Sequence, residues 1–298
     1  MKTKEYIRTQ IISNTVLVIL SLFALIPFLL LIIGSFTDNA TAAADGYSFF
    51  PAEWSLEAYD YIIKQWVYIL KAYLNTFIVT ILGTSVSLFI TSMFGYVLSI
   101  TELPGKRILT FMSIFTMLFN GGIVSTYFIY SNVFHIKNTI FALIIPGLLM
   151  NAFTVMLFRN YYNGNISAAL QEAARLDGAG EFFIYFKVVV PLSKPILATV
   201  GLMSALGYWN DWTNGLYYLT DRGGSQLYTI QIFLNKMNEN ILFLASNSVQ
   251  VSGVSLADLP STTIRMAIAV IGIIPILMVY PFFQKYFIKG ISIGAVKG

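Results

Sequence analysis

Six long apolar runs set the limits on what this chain can become: residues 14–36, 74–100, 108–130, 139–158, 191–218 and 263–287. A stretch of about 18 or more residues with few charges is long enough to cross the hydrocarbon core of a bilayer. The first four runs contain no Asp, Glu, Lys or Arg at all. With 57% hydrophobic and only 11% charged residues, the chain carries more apolar side chain than a soluble core could bury. The runs predict an all-α integral membrane protein with about six transmembrane helices.

The basic residues orient it. With the N-terminus inside, Lys2, Lys4, Arg8, Lys106, Arg107, Arg159, Arg175, Lys187, Lys194, Lys285, Lys289 and Lys297 fall on the cytoplasmic side, and Lys64, Lys71, Lys137, Arg222, Lys236 and Arg265 on the other. This split of 12 to 6 accounts for all 18 cations, and the positive-inside rule places both termini in the cytoplasm. The first run is too long for a signal-peptide core and has no small-residue cleavage site at its end, so it reads as a retained anchor. Outside, residues 38–71 bring Trp54, Tyr59, Tyr61, Trp66 and Tyr68, a set suited to an interfacial helix, and residues 220–262 form the largest outer loop.

Several chemistries are set aside. Without cysteine there is no disulfide, catalytic thiolate or Cys-ligated metal, and the single histidine, His135, stands between two runs with no ligand cluster. No catalytic or metal-binding residues are assigned. The runs hold no acid pair or Ser/His pairing of a membrane-embedded enzyme. A secondary, ion-coupled transporter is the alternative reading; it normally carries ionisable residues within its spans, whereas here Lys194 and Asp211 stand near span ends. Glycines and prolines punctuate the runs (Gly83, Gly95, Gly121, Gly122, Pro146, Gly147, Pro275, Pro281), which admits both close helix packing and bending along a pathway.

Residues 161–190, between the fourth and fifth runs, are too long and too amphipathic for a plain connector. Ser167 can cap a short helix through Ala168, Ala169, Leu170, Gln171, Glu172, Ala173 and Ala174. Asp177 and Gly178 then end it, with Gly178 free to turn left-handed, and a second helical segment from Glu181 to Val189 leads to Pro191. The residues alone allow either a hairpin tiling the bilayer surface or a docking element.

Glu172, Ala173, Ala174, three residues, Gly178, nine residues, then Val188, Val189, Val190 and Pro191 resembles the EAA motif of ABC importer permeases, with Val188 and Val190 as apolar substitutes. The longer string EAARLDGAG, with Pro191, Leu192 and Pro195, is similar to the carbohydrate-uptake branch. Tyr208, Trp209, Asn210, Asp211 and Trp212 resemble its Trp-Asn-acid element, and the tail from Gln284 to Gly298 resembles the end of maltose-type permeases. Phe119, Asn120, Gly121 and Gly122, with Thr126 and Tyr127, look most like permeases for complex or acidic oligosaccharides.

The resemblance implies the type I ABC importer permease fold. It divides the chain into an N-terminal anchor and outer segment (1–72), a permease domain (73–287) containing the coupling loop, and a cytoplasmic tail (288–298). It implies that Glu172, Ala173, Ala174, Asp177 and Gly178 form a coupling helix docked on a cytoplasmic ATPase. The implied partners are a second permease subunit, a dimer of ATPase subunits and an extracellular solute-binding protein; ATP and magnesium would be bound by the ATPase. The chain itself lacks the GxxxxGK[ST] phosphate loop, since Ile100 stands where Gly105-Lys106 would need the first glycine. Asn120, Tyr127, Trp209, Asn210 and Asp211 are candidates for the sugar pathway, though an interfacial aromatic belt explains the Trp and its neighbours equally well.

Overall fold

In the computed structural model of the chain the described residues are 4–247, 263–278 and 281. Among them the only β pairing is a single bridge between Thr37 and Trp54, and the rest is helix and connecting turn. Two compact units can be distinguished, one from residues 1–69 and 234–276, the other from 70–233 and 277–298.

In the first unit, α1 (Lys4–Ser35) leaves its apolar side chains exposed along nearly its whole length, as a helix solvated by lipid does. The chain turns at the Thr37–Trp54 bridge, where Ser55 N–H donates to the Phe36 carbonyl at 2.8 Å and the Phe36 ring stacks on Tyr59 at 4.8 Å. The outer segment forms two short helices, α2 (Asn39–Asp45), capped by the Asp38 carboxylate on Thr41 N–H, and α3 (Glu57–Ile63).

The second unit is built on α4 (Trp66–Ser99), which starts at Trp66 rather than at residue 74 and takes in Trp66 and Tyr68, two of the aromatics expected to precede it. Its later course packs against α8 (Ala152–Asn165) and α12 (Lys194–Asn210). Tyr96, Phe158, Tyr162, Ile184, Tyr185, Val189 and Val200 form one buried cluster there. Val79, Leu143, Ile144, Tyr208 and Leu219 form another.

The apolar runs are not all single helices. Among the described residues only α1 and α4 are uninterrupted helices long and apolar enough to be spans. The third run breaks between α5 (Lys106–Leu118) and α6 (Gly122–Phe128), whose last turn, Ile129–Val133, is π-helical; the two halves meet at 117°. The fourth divides into α7 (Phe141–Ile144) and α8, parted at Pro146 and Gly147. The fifth bends by 85° between residues 181–192 and α12. Beyond α13 (Thr213–Tyr218), the expected outer loop contains a further helix, α14 (Ile230–Asn247). Ile230, Phe233, Leu234 and Met237 put one apolar stripe on it at helical spacing, which its Asn, Gln and Glu content obscures. The sixth run is seen as α15 (Thr263–Met278); its remainder apart from Pro281, residues 248–262 of the outer loop and the tail expected to resemble the maltose type lie outside the described residues.

The glycines separate into two kinds. A Cβ on Gly83 would sit 2.6 Å from the Tyr208 ring, and one on Gly95 would sit 2.6 Å from Phe158 Cβ and 3.1 Å from the Val155 carbonyl, so these two serve close packing. Gly122 and Gly147 have φ of 79° and 71° with nothing within 4 Å, so these two make turns.

The carbonyls freed where the fourth run breaks are taken up by other helices. Tyr208 donates to the Ile144 carbonyl at 3.0 Å, Asn214 Nδ2 to Pro146 at 2.9 Å, and Ser87 to Leu148 at 3.4 Å. Irregular backbone at membrane depth persists only when protein satisfies it in this way.

Candidate coupling site

The loop of residues 161–190 folds into α9 (Ala168–Leu176), a tight turn, and α10 (Glu181–Ile184), which continues through a π-helical turn, Tyr185–Val189, and a last short helix, α11 (Val190–Leu192), to Ser193. Ser167 occupies the position before α9 with extended backbone, but its hydroxyl makes no capping bond; Leu170 N–H bonds to the Ser167 carbonyl at 3.2 Å instead. The cap expected of its side chain is therefore absent.

The other end of α9 is closed fully. Gly178 has φ 82°, its N–H donates to the Arg175 carbonyl at 3.0 Å, and Ala179 N–H reaches back to the Ala174 carbonyl at 3.0 Å. These are the paired bonds of a Schellman ending, with Ala174 and Ala179 both packed on the cluster around Tyr162. Nothing lies within 4 Å of the place a Gly178 Cβ would occupy, so the glycine is needed for its dihedral and not for room.

A three-residue brace then fixes α9 to the rest of the unit. Arg175 Nε and Nη2 donate to the two Glu181 carboxylate oxygens at 2.7 and 3.3 Å, and the buried Tyr96 of α4 donates its hydroxyl to Glu181 Oε2 at 2.6 Å. The Arg175 hydrogen bonds hold the Glu181 carboxyl below the usual carboxylate range, and the same contact raises the Arg175 guanidinium. Beside the brace a cleft of about 680 Å³ opens between the end of α4 and α9, with Glu102, Asn163, Gln171 and Glu172 in its walls.

A nine-residue helix is marginal by itself, and α9 buries none of its residues. Only Gln171 and Ala174, one turn apart, are half-buried; Leu170, Glu172, Ala173, Asp177 and Gly178 are open, and Leu176 is 89% exposed. The helix is thus held firmly at its C-terminal end while most of its surface is left free.

The brace gives a direct test. Replacing Glu181 with Gln removes the charge and keeps the shape. An exposed ion pair of this kind contributes about 0.2–1 kcal/mol, so amide exchange across residues 173–179 is expected to quicken by up to about fivefold. Because folding lowers the Glu181 pKa, the brace is fully present above the unfolded value of about 4.3 and is lost as pH falls through the folded one. Protection of these amides in the wild type, corrected for the intrinsic pH dependence of exchange, should therefore fall at acid pH through this step, and Glu181→Gln should lack it.

At the other end of the unit the five sequence candidates do not form one group. Asn120 stands in the break of the third run, where its Oδ1 accepts from Gly122 N–H at 2.9 Å. Tyr127 stacks on Tyr218 at 5.7 Å and takes a hydrogen bond from Lys137. Trp209 is buried against Tyr73 and Phe77 of α4, at ring distances of 6.4 and 5.1 Å. Asn210 accepts from Gln231 at 3.5 Å, and the Asp211 carboxylate caps α13 on the N–H groups of Thr213 and Asn214. Tyr96, Glu181 and Lys137 escaped sequence reasoning. An Arg and an acid flanking a glycine turn could have signalled the brace, but nothing local points from Glu181 to Tyr96.

Comparison with known proteins gives the following. Residues 105–293 match the family described as binding-protein-dependent transport system inner membrane component. The polygalacturonan/rhamnogalacturonan transport system permease protein YtcP of Bacillus subtilis (strain 168) is 35% identical over 95% of this chain and 96% of its own length. Protein LplC of the same organism is 35% identical over 92% and 90%. The crystal structure of a bacterial ABC transporter involved in the import of the acidic polysaccharide alginate superposes with a TM-score of 0.76 at 30% identity, covering 96% of this chain and 99% of that one.

Proposed function

Because this chain belongs to the family of inner membrane components of binding-protein-dependent transport systems, we propose that it is one transmembrane half of an ATP-driven importer of acidic oligosaccharides. The polygalacturonan/rhamnogalacturonan permease YtcP and the alginate importer support that class of cargo. A second, homologous permease completes the pathway, an extracellular solute-binding protein delivers the sugar, and a pair of cytoplasmic ATPase subunits binds ATP and magnesium. Both termini lie in the cytoplasm. The chain divides into an anchor and outer segment (1–72), the permease domain (73–287) and a tail (288–298).

The observation that carries this reading is α9, fixed by its Schellman turn and its brace, yet open over most of its surface. Such a helix suits docking in an ATPase cleft, with Glu172 and Asp177 as polar contacts, Ala173 and Ala174 allowing close approach, and Gly178 setting the turn. When the ATPases close on ATP, a push on α9 passes through Arg175 and Glu181 to Tyr96 on α4 and through α10 to the bend at Ser193. A hinge there lets α12 change its angle, and the sugar site alternates between the two faces of the membrane. This chain binds and positions; hydrolysis belongs to its partner.

The absence of native cysteines makes the test clean. Ala173→Cys, in the assembled complex, is expected to cross-link to a cysteine placed in the ATPase cleft and to change its yield when ATP is trapped on the enzyme. A complex that assembles and transports while Ala173→Cys stays unreactive towards the ATPase would remove the docking role from α9.

A further inference from the structure

Among the described residues, non-glycine backbone enters the left-handed region only in the turn after α6, at His135 (φ 53°) and Asn138 (φ 59°). Such residues cost conformational free energy and persist where surrounding contacts hold them, often at functional sites. Asn138 is held strongly. Its N–H donates to the Tyr218 carbonyl at 3.0 Å, and its Oδ1 accepts from Thr220 N–H at 2.7 Å and the Thr220 hydroxyl at 3.2 Å. Gly223 and Gly224 approach so closely that a Cβ on either would meet its amide at 2.8 or 2.6 Å.

Lys137 stands between these two residues. Its Nζ donates to the Tyr127 hydroxyl at 2.8 Å and lies 5.4 Å from the centre of that ring. Tyr127 in turn stacks on Tyr218, which meets Tyr130 edge-on at 6.1 Å. The lysine is half-buried, and no carboxylate among the described residues lies within ion-pair distance of it. The two acids of the neighbouring segments have other tasks: Asp211 caps α13, and Asp221 accepts from the Tyr228 hydroxyl.

An ammonium offers three donors, and here the phenol takes one. A partly desolvated cation without a counter-ion is costly, and a fold that keeps one in place suits an anion that arrives from outside. We propose that Lys137, mounted on the Tyr127–Tyr218 stack, is a carboxylate-binding position for uronate residues of the sugar passing the outer mouth of the permease. Tyr218 is buried beneath the stack, and the part of the Tyr127 ring left open suits the apolar face of a pyranose ring, while the lysine takes the charge that distinguishes a uronate from a neutral hexose. The assignment rests on the acidic-oligosaccharide reading above and names one residue that enforces it.

The test uses the complete importer in proteoliposomes, with binding protein saturated by an oligogalacturonide of one length, either as the free acid or as its methyl ester. Lys137→Met is expected to lower kcat/KM for the free acid about tenfold, the equivalent of ~1.4 kcal/mol, and to leave the ester unchanged; Lys137→Arg should keep most of the wild-type preference. Equal loss for both sugars would overturn the assignment in favour of a structural role, or of a lipid-headgroup contact if the loss varies with the anionic lipid content of the vesicles. No loss for either would overturn it as well. A wild-type importer that carries neutral oligosaccharides but never the free acid would refute the acidic-substrate reading itself, before any variant is compared, and this assignment with it.

Discussion

Gly178→Asp is expected to yield a protein that inserts and folds normally yet fails to transport. The native φ of 82° is left-handed, where a side chain costs roughly 1–2 kcal/mol, and Asp is among the residues that tolerate it best. No atom lies within 4 Å of the new Cβ, so nothing in this chain is displaced. The carboxylate instead projects from the end of α9, where the ATPase is proposed to dock. Pressing an unpaired charge into a protein interface costs several kcal/mol, so uptake and sugar-stimulated ATP hydrolysis should fall by about a hundredfold or more. Thermal stability of the solubilised protein should change little. A hairpin that merely tiles the membrane predicts the opposite pattern, a small loss of stability with uptake retained, and proteoliposomes of wild type and variant decide between them.

Gly95→Val should fail earlier, at folding. A Cβ there meets Phe158 Cβ at 2.6 Å, the Val155 carbonyl at 3.1 Å and Arg159 N at 3.3 Å. Two of these are backbone atoms, so no rotamer change relieves the contact and the α4–α8 crossing itself must open. Because Phe158 belongs to the cluster that carries Tyr96, Tyr162 and Ile184, the separation spreads into the seat of α9. Overpacking costs about 1–3 kcal/mol where neighbours can yield, and the upper end or beyond is expected here. The readout is the yield of folded protein and its thermal midpoint in detergent. Gly201→Ala is the control: its Cβ would meet only the tip of Leu88, at 3.1 Å, which can rotate aside, so this variant should stay near wild type. If Gly95→Val proves as stable as Gly201→Ala, the close crossing of α4 and α8 is wrong.

The apolar runs, the helix–turn–helix of residues 161–190 and the left-handed Gly178 were legible in the sequence because each depends on local chemistry: length without charge, helix formers, a glycine after a short helix. What stayed hidden depends on partners far along the chain. Gly83 and Gly122 read alike as letters, and only Tyr208 pressed against the first shows that one packs and the other turns. The breaks in the third, fourth and fifth runs preserve hydrophobicity and so leave no trace in it. The apolar stripe of α14 is diluted by Asn, Gln and Glu, which hid a helix of 18 residues inside a supposed loop. Trp209 and Asp211 carried the right residue types for a sugar pathway, yet the indole packs on α4 and the carboxylate caps α13.

The parting of α7 from α8 also bears on how the chain is made. The carbonyls of Ile144 and Pro146 are satisfied by Tyr208 and Asn214, which leave the ribosome 64 and 68 residues later. Until then the segment has bare acceptors that lipid cannot answer, each worth several kcal/mol in hydrocarbon. The nascent fourth run must therefore either cross first as a continuous helix and kink afterwards, or wait beside the insertion machinery for its partners. In both cases its native shape is completed only after the fifth run has been synthesised. A chain arrested between residues 150 and 207 would hold that segment short of its native kinked shape.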